Sequence, residues 1–258
     1  MLAVQELLTQ EDGDPVAIEG SGRPGPFVLV CEHASRTLPR RLGDLGLSDE
    51  ARTSHIAWDP GALAVARHMA MSLNSILIFQ RFSRLVYDCN RPPDAFDAMP
   101  VKSEIYSIPG NENLSDADRA LRTKALYAPF RAGLAGLLAE RRRGGQPSVL
   151  ITIHSFTPVY HGHRRTVEIG ILHDDDARLA DRMLHFAADN GLYKVMRNAP
   201  YGPKDGVTHT LKEHGLANGL LNVMIEVRND LIQEETSQRV MADFLTGLLL
   251  ESMTSLSP

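Results

Sequence analysis

Two imidazoles and several carboxylates stand in this sequence where short apolar runs give out. "FVLVC" (27–31) is followed at once by Glu32 and His33, and "VLITIH" (149–154) ends on His154. "RLVYD" (84–88) leads into Asp88, Asn90 and Arg91, and "NVMIEV" (222–227) carries Glu226 with Arg228 just beyond. These runs are mostly β-branched or apolar and lack polar alternation, the pattern of strands buried on both faces. In open α/β sheets ligands sit beyond the carboxyl ends of such strands, so His154 is expected at a site-building edge. A buried, unpaired carboxylate is costly, so Glu226 requires a metal, a cation or a proton. Arg228, two residues on and therefore on the same strand face, is its simplest structural partner.

Histidines and carboxylates together suggest a catalytic zinc site, which uses three ligands of these types and a further carboxylate as base. His33 and His154 are the imidazoles, and the third ligand is Glu32 or Asp59. Asp59 is favoured because "WDPGALAVA" puts it at a helix start, with Pro60 in the first helical position; the same placement would let it serve simply as an N-cap. A buried histidine bonded to backbone is the plain alternative for either imidazole. His161 and His163 form a second metal-compatible pair within a turn, whereas His209 and His214 lack the H-E-x-x-H pattern and read as loop or substrate contacts.

The elements that must position these groups alternate along the chain. Strands are expected at 27–31, 75–79, 84–88, 149–154, 167–172, 193–196 and 222–227, and helices at 61–73, 176–189 and about 235–252. Alternation of this kind argues for a single-domain, three-layer α/β/α fold with a mixed, mostly parallel sheet. The domain is expected to span 1–258, with 1–26 as a flexible lead-in, a core over 27–252, and site-building loops at 32–58, 90–114 and 198–215. Gly20, Gly22 and Gly25 match G-x-G-x-x-G but precede a strand instead of following one, so they carry no dinucleotide reading.

Composition bounds the function. A chain of 258 residues with 43% hydrophobic content can bury a large core, and a formal net charge of −5 argues against a nucleic-acid partner. The one basic cluster, Arg141 to Arg143, ends a helical stretch before Gly144 and reads as a solvated C-terminal turn. Cys31 and Cys89 both lie at apolar runs and read as reduced, buried thiols. The N-terminus lacks a basic, apolar leader and no stretch approaches a membrane span, so a soluble, cytoplasmic protein without membrane partners is expected.

In their order, "CEHASRTLP", "WDPGA", "SRLVYDCNRP", "IHSFTPV", "RNAPYG" and "IEVRND" resemble the N-formylglutamate amidohydrolase family over about residues 27 to 232. That family is similar to the zinc carboxypeptidase-like hydrolases, which implies a mixed eight-stranded sheet. The resemblance implies His33, Asp59 and His154 as ligands of Zn2+ or another divalent metal, and Glu226 as catalytic base. Arg36 occupies the place of the glutamate in the relatives' H-x-x-E, which is why the carboxylate falls to Asp59. The resemblance also implies Asn90 and Arg91 as the clamp for a substrate α-carboxylate and Tyr201 as a loop contact, with Arg84, Arg164 and Arg228 the other guanidiniums able to bind substrate. The activity implied is hydrolysis of a small N-acyl amino acid. A carboxypeptidase or cell-wall peptide amidase, and a metal-free binding protein with a decayed site, are the competing readings.

Overall fold

A computed structural model describes residues 6–256 of the chain, and residues 1–5 of the expected lead-in lie outside it. In chain order the strands are β1 (Val16–Glu19), β2 (Phe27–Cys31), β3 (Ile76–Gln80), β4 (Lys102–Ser103), β5 (Tyr106–Ser107), β6 (Val149–Phe156), β7 (Val159–Tyr160), β8 (His163–Arg164), β9 (Ile169–Leu172), β10 (Val195–Arg197) and β11 (Asn222–Arg228). The α-helices are α1 (Asp49–Thr53), α2 (Ala62–Ser72), α3 (Asp116–Arg122), α4 (Ala128–Arg143), α5 (Arg178–Asn190) and α6 (Glu235–Leu256). Seven strands form one sheet in the order β1-β3-β2-β6-β11-β9-β10, one fewer than the resemblance implies. β3, β2, β6 and β11 run parallel as neighbours, β10 is parallel to β9, and the β1–β3 and β11–β9 pairs are antiparallel. None of the described helices is long and apolar enough to cross a membrane.

Strand periodicity divides the core into two layers. Leu29, Ile151, Ile153, Ile225 and Val227 face α2, α5 and α6, packing with Val65, Met69, Met183 and Leu245. Val28, Val30, Leu150 and Met224 face the other way, onto Phe130, Leu134 and Leu138 of α4. At their carboxyl ends the central strands replace apolar residues by polar ones on this second face, and that substitution builds the site.

Three expectations need correction. Residues 84–88 are not a strand: 84–86 form a turn closed by Val86 N donating to Ser83 O at 3.0 Å, and Ser83 Oγ ties its start to the chain at Ala57 O, 2.7 Å away. Leu85, Val86 and Tyr87 are apolar because they fill the α4-side core, a burial that needs no ladder pairing. The lead-in is not wholly irregular: β1 pairs with β3 at the sheet edge, and Gly20 and Gly22, both at positive φ, lie between β1 and β2. Arg141 is not solvated, since it is 2% exposed and donates to the carbonyls of Gly25 and Pro147, whereas Arg142 and Arg143 are exposed.

Candidate active site

His154 and Glu226 are directly opposite each other on the adjacent parallel strands β6 and β11, so their side chains leave the same face side by side. His154 lies two residues before the strand's end, not at its tip. His33 comes from the segment after β2, the next strand on the other side of β6. Asp59 is stitched to this segment by its backbone N, which donates to His33 O at 2.9 Å. Its carboxylate does not cap the following helix. α2 starts only at Ala62, after Gly61 at φ 82°, and has no side-chain cap. The Asp59 side chain turns instead to the histidines.

Three atoms converge there. His33 Nδ1 and His154 Nδ1 are 3.2 Å apart, and Asp59 Oδ2 is 3.2 Å from the first and 2.9 Å from the second. Each imidazole has its other nitrogen on a carboxylate. His33 Nε2 is 2.7 Å from Asp88 Oδ1, and His154 Nε2 makes a 3.1 Å ionic contact with Glu32 Oε2 that lacks hydrogen-bond alignment. A cation bound at the two Nδ1 atoms would leave each ring proton on Nε2, facing Asp88 or Glu32, and would put two lone pairs beside an anionic oxygen. Three acceptors at such distances need a cation or an added proton between them. A tetrahedral zinc shell with ligands at ~2.0–2.1 Å has ligand edges of about 3.3 Å, close to this triangle. The donor set therefore fits a metal, with Asp59 in the triangle and Glu32 behind His154.

Charge points the same way. Glu32, Asp59, Asp88 and Glu226 are all nearly or fully buried, and Arg84 is the guanidinium among them, donating to Asp88 Oδ2 at 2.7 Å and reaching Asp59 Oδ1 at 3.5 Å. Burial lowers the pKa of His154, but Glu32 and Asp59 overcome it and hold the imidazole well above its usual value. Burial and Arg84 likewise oppose protonation of His33, and Asp88 and Asp59 outweigh them. Burial would raise Asp88, yet His33 and Arg84 keep it well below the carboxylate range. Glu226 has no such partner. Burial pushes its carboxyl up to about 7, with the His154 charge opposing, and its Oε2 has no hydrogen-bond partner among the described residues.

These groups open into a cavity of about 600 Å³ walled by the three expected loop regions, including His55, Pro100, Glu104, Tyr201, Asp205 and Val207. Tyr201 lines it, and burial together with the Glu226 charge pushes its phenol up to about 12. Asn90 and Arg91 reach the cavity with their donors committed to the scaffold. Asn90 Nδ2 donates to Val207 O and Asn90 Oδ1 accepts from Thr210 N at 3.0 Å. Arg91 Nε donates to Asp97 Oδ2 at 2.8 Å, and its Nη1 to the carbonyls of Asn90 and Gly206, both at 3.0 Å. Arg228 is not among the lining residues and does not pair with Glu226: it donates to Asp230 Oδ1 at 2.7 Å, because the chain turns there into a short 3-10 segment that carries Asp230 back to it. His163 and Arg164 are exposed in the β7–β8 hairpin with His161 just before them, and His209 contacts Tyr127 Oη at 2.8 Å; none of these joins the cavity lining, nor does the buried His214. Both cysteines are free and buried.

Among the lining residues that sequence reasoning did not single out is Arg165, which follows a short hairpin and no long apolar run. Asp88 and Glu32 are visible in the sequence as polar groups beyond apolar runs, but their positions behind the two imidazoles are not.

A crystal structure of a gene product from Agrobacterium tumefaciens is 55% identical, with a TM-score of 0.96 over 97% of this chain and 99% of that one. The N-formylglutamate amidohydrolase of Ralstonia eutropha shares the fold, with 20% identity and a TM-score of 0.59 over 93% of this chain and 97% of that one. A search of curated proteins returned no match. The family model described as N-formylglutamate amidohydrolase matches residues 25–233, which contain every residue of the triangle, its flanking carboxylates and Glu226, and the chain belongs to that family of amide-bond hydrolases.

Proposed function

We propose that the protein is a zinc-dependent amidohydrolase that cleaves the N-acyl amide bond of a small N-acyl amino acid of the N-formylglutamate type. The observation that carries this reading is the convergence of His33 Nδ1, His154 Nδ1 and Asp59 Oδ2 into one triangle, with the partnerless carboxylate of Glu226 on the neighbouring strand. His33, Asp59 and His154 would hold the ion. A bound zinc supplies Lewis-acid chemistry, acidifying a water and polarising an acyl carbonyl.

The remaining work falls to the chain's own groups. Glu226 Oε2, free of competing hydrogen bonds and with a pKa near neutrality, accepts a proton from the attacking water and delivers it to the departing amide nitrogen. Its position on a central strand fixes the carboxylate where a loop residue would wander. Asp88, hydrogen-bonded to His33 Nε2, holds that imidazole with Nδ1 forward, the carboxylate–histidine arrangement that orients metal ligands, and Glu32 stands in ionic contact behind His154. Arg84 offsets part of the negative charge gathered behind the triangle. Tyr201 stays protonated at neutral pH and offers a hydroxyl donor on the cavity wall. The cavity volume falls in the range of small-molecule sites.

A screen of zinc-loaded protein over formyl-, acetyl- and succinyl-amino acids tests the reading. Amine release from at least one acidic member is expected and should stop in Glu226→Gln. Failure across the panel, with metal bound, would overturn it.

A further inference from the structure

Four lysine or arginine side chains line the cavity, Arg84, Arg91, Lys102 and Arg165, and they are not equally available. Arg84 is paired with Asp88 and Arg91 with Asp97. Lys102 is exposed on a flexible stem. Arg165 is half-buried and has no carboxylate at ion-pair distance among the described residues. One of its donors reaches Thr157 O, at a long 3.4 Å. Its guanidinium carbon lies 4.5 Å from the Tyr160 ring centre, 4.8 Å from that of Tyr201 and 5.5 Å from that of Phe156.

We propose that Arg165 is the guanidinium that anchors a carboxylate of the substrate's amino-acid half. The aromatic rings and the Tyr201 hydroxyl, which accepts a hydrogen bond from Arg165, hold the planar group in place, while no protein carboxylate among the described residues competes for its remaining N–H donors, an arrangement that suits capture of a substrate carboxylate at low ordering cost. Two features tie the anchor to the chemistry. Phe156 is two residues beyond His154 on the same strand, so the bracket and the triangle share one rigid support. Tyr201, another ring of the bracket, lines the same cavity as Glu226. The need is also electrostatic: Glu32, Asp59, Asp88 and Glu226 disfavour an anionic substrate, and an unpaired cation in the same cavity gives it a favoured place and orientation.

This assignment rests on the amidohydrolase reading, and a binding measurement separates the two. Calorimetry would follow N-formyl-L-glutamate, its α-amide and its γ-amide on zinc-loaded Glu226→Gln protein, with and without Arg165→Lys, and with Arg91→Lys as a comparison. Arg165→Lys should weaken diacid binding by roughly ten- to a hundredfold, the scale of a lost charged hydrogen bond. The loss should vanish on one of the two amides, which identifies the carboxylate bound. Arg91→Lys should weaken all three equally or not at all. An equal effect of Arg165→Lys on all three ligands, no effect on any, or no binding of the diacid to the parent protein would overturn the anchor. If the wild type binds these ligands through Arg165 but hydrolyses no acyl amino acid, the anchor stands and the catalytic reading falls. Far-ultraviolet circular dichroism and melting temperature of Arg165→Lys should match the parent.

Discussion

Asp88→Asn isolates what a carboxylate behind a metal-facing imidazole contributes. Asp88 Oδ1 is 2.7 Å from His33 Nε2 and accepts from Asn90 N at 2.9 Å, while Oδ2 accepts from Arg84 at 2.7 Å. Asparagine preserves size and can keep the first two contacts through its oxygen. It then turns an NH2 towards the Arg84 donor, so the ion pair is lost and the bond to His33 falls from charge-assisted to neutral. His33 becomes a weaker base at Nδ1. Arg84, 29% exposed along its side chain and already 3.5 Å from Asp59 Oδ1, is released to compete for the ligand carboxylate. Both effects act against metal binding. Loss of such an outer partner costs about 10–100-fold in affinity, or about 1.4–2.8 kcal/mol at 1.4 kcal/mol per decade. Competition with a chromophoric chelator measures this directly at fixed pH. Wild-type zinc affinity in Asp88→Asn would refute the claim that Asp88 sets the donor atom of His33.

Three further outcomes are expected. Glu226→Gln should retain zinc while turnover falls by roughly 100-fold or more, and wild-type kcat/KM should rise with pH along an acid limb at or below about 7 that the variant lacks, because a bound cation pulls the carboxyl down from its metal-free value. In metal-free protein the raised Glu226 pKa means the folded state holds a proton the unfolded chain has lost between about 4.5 and about 7, so stability falls as pH rises through that window, and melting curves of Glu226→Gln should show a shallower fall. Gly61→Ala should lower stability by at least about 1–3 kcal/mol in thermal unfolding, because residue 61 sits at φ 82° and a Cβ there would lie 2.4 Å from Ile232 O; an unchanged melting temperature would contradict this.

The parts of the site carried by strands are legible in the sequence, because an ionisable residue within or just beyond a fully apolar run is costly to bury unless a ligand or a counter-charge meets it. His33, His154 and Glu226 stand out that way, and period-two alternation already puts Glu226 on a defined face. Asp59 is reached through helix-start chemistry that the structure does not use: Gly61, not Asp59, precedes α2, and the carboxylate is left for the histidines. Residues 84–88 mislead because an apolar run reports burial, and a turn packed under α4 satisfies that as well as a strand does. The resemblance implies Arg91 as a clamp, but Asp97 and the carbonyls of Asn90 and Gly206 take up most of its donors, contacts that only the folded loop creates. Arg165 is invisible for the opposite reason. Its availability depends on which carboxylates are absent around it, and no local pattern encodes an absence.

Zinc content of purified wild type and His154→Ala, measured by elemental analysis after removal of loosely bound metal, tests the central claim most directly. The triangle of His33, Asp59 and His154 predicts a single equivalent in the wild type and essentially none in the variant, since a two-ligand remnant binds poorly. A folded His154→Ala protein that keeps its full equivalent of zinc would contradict the account.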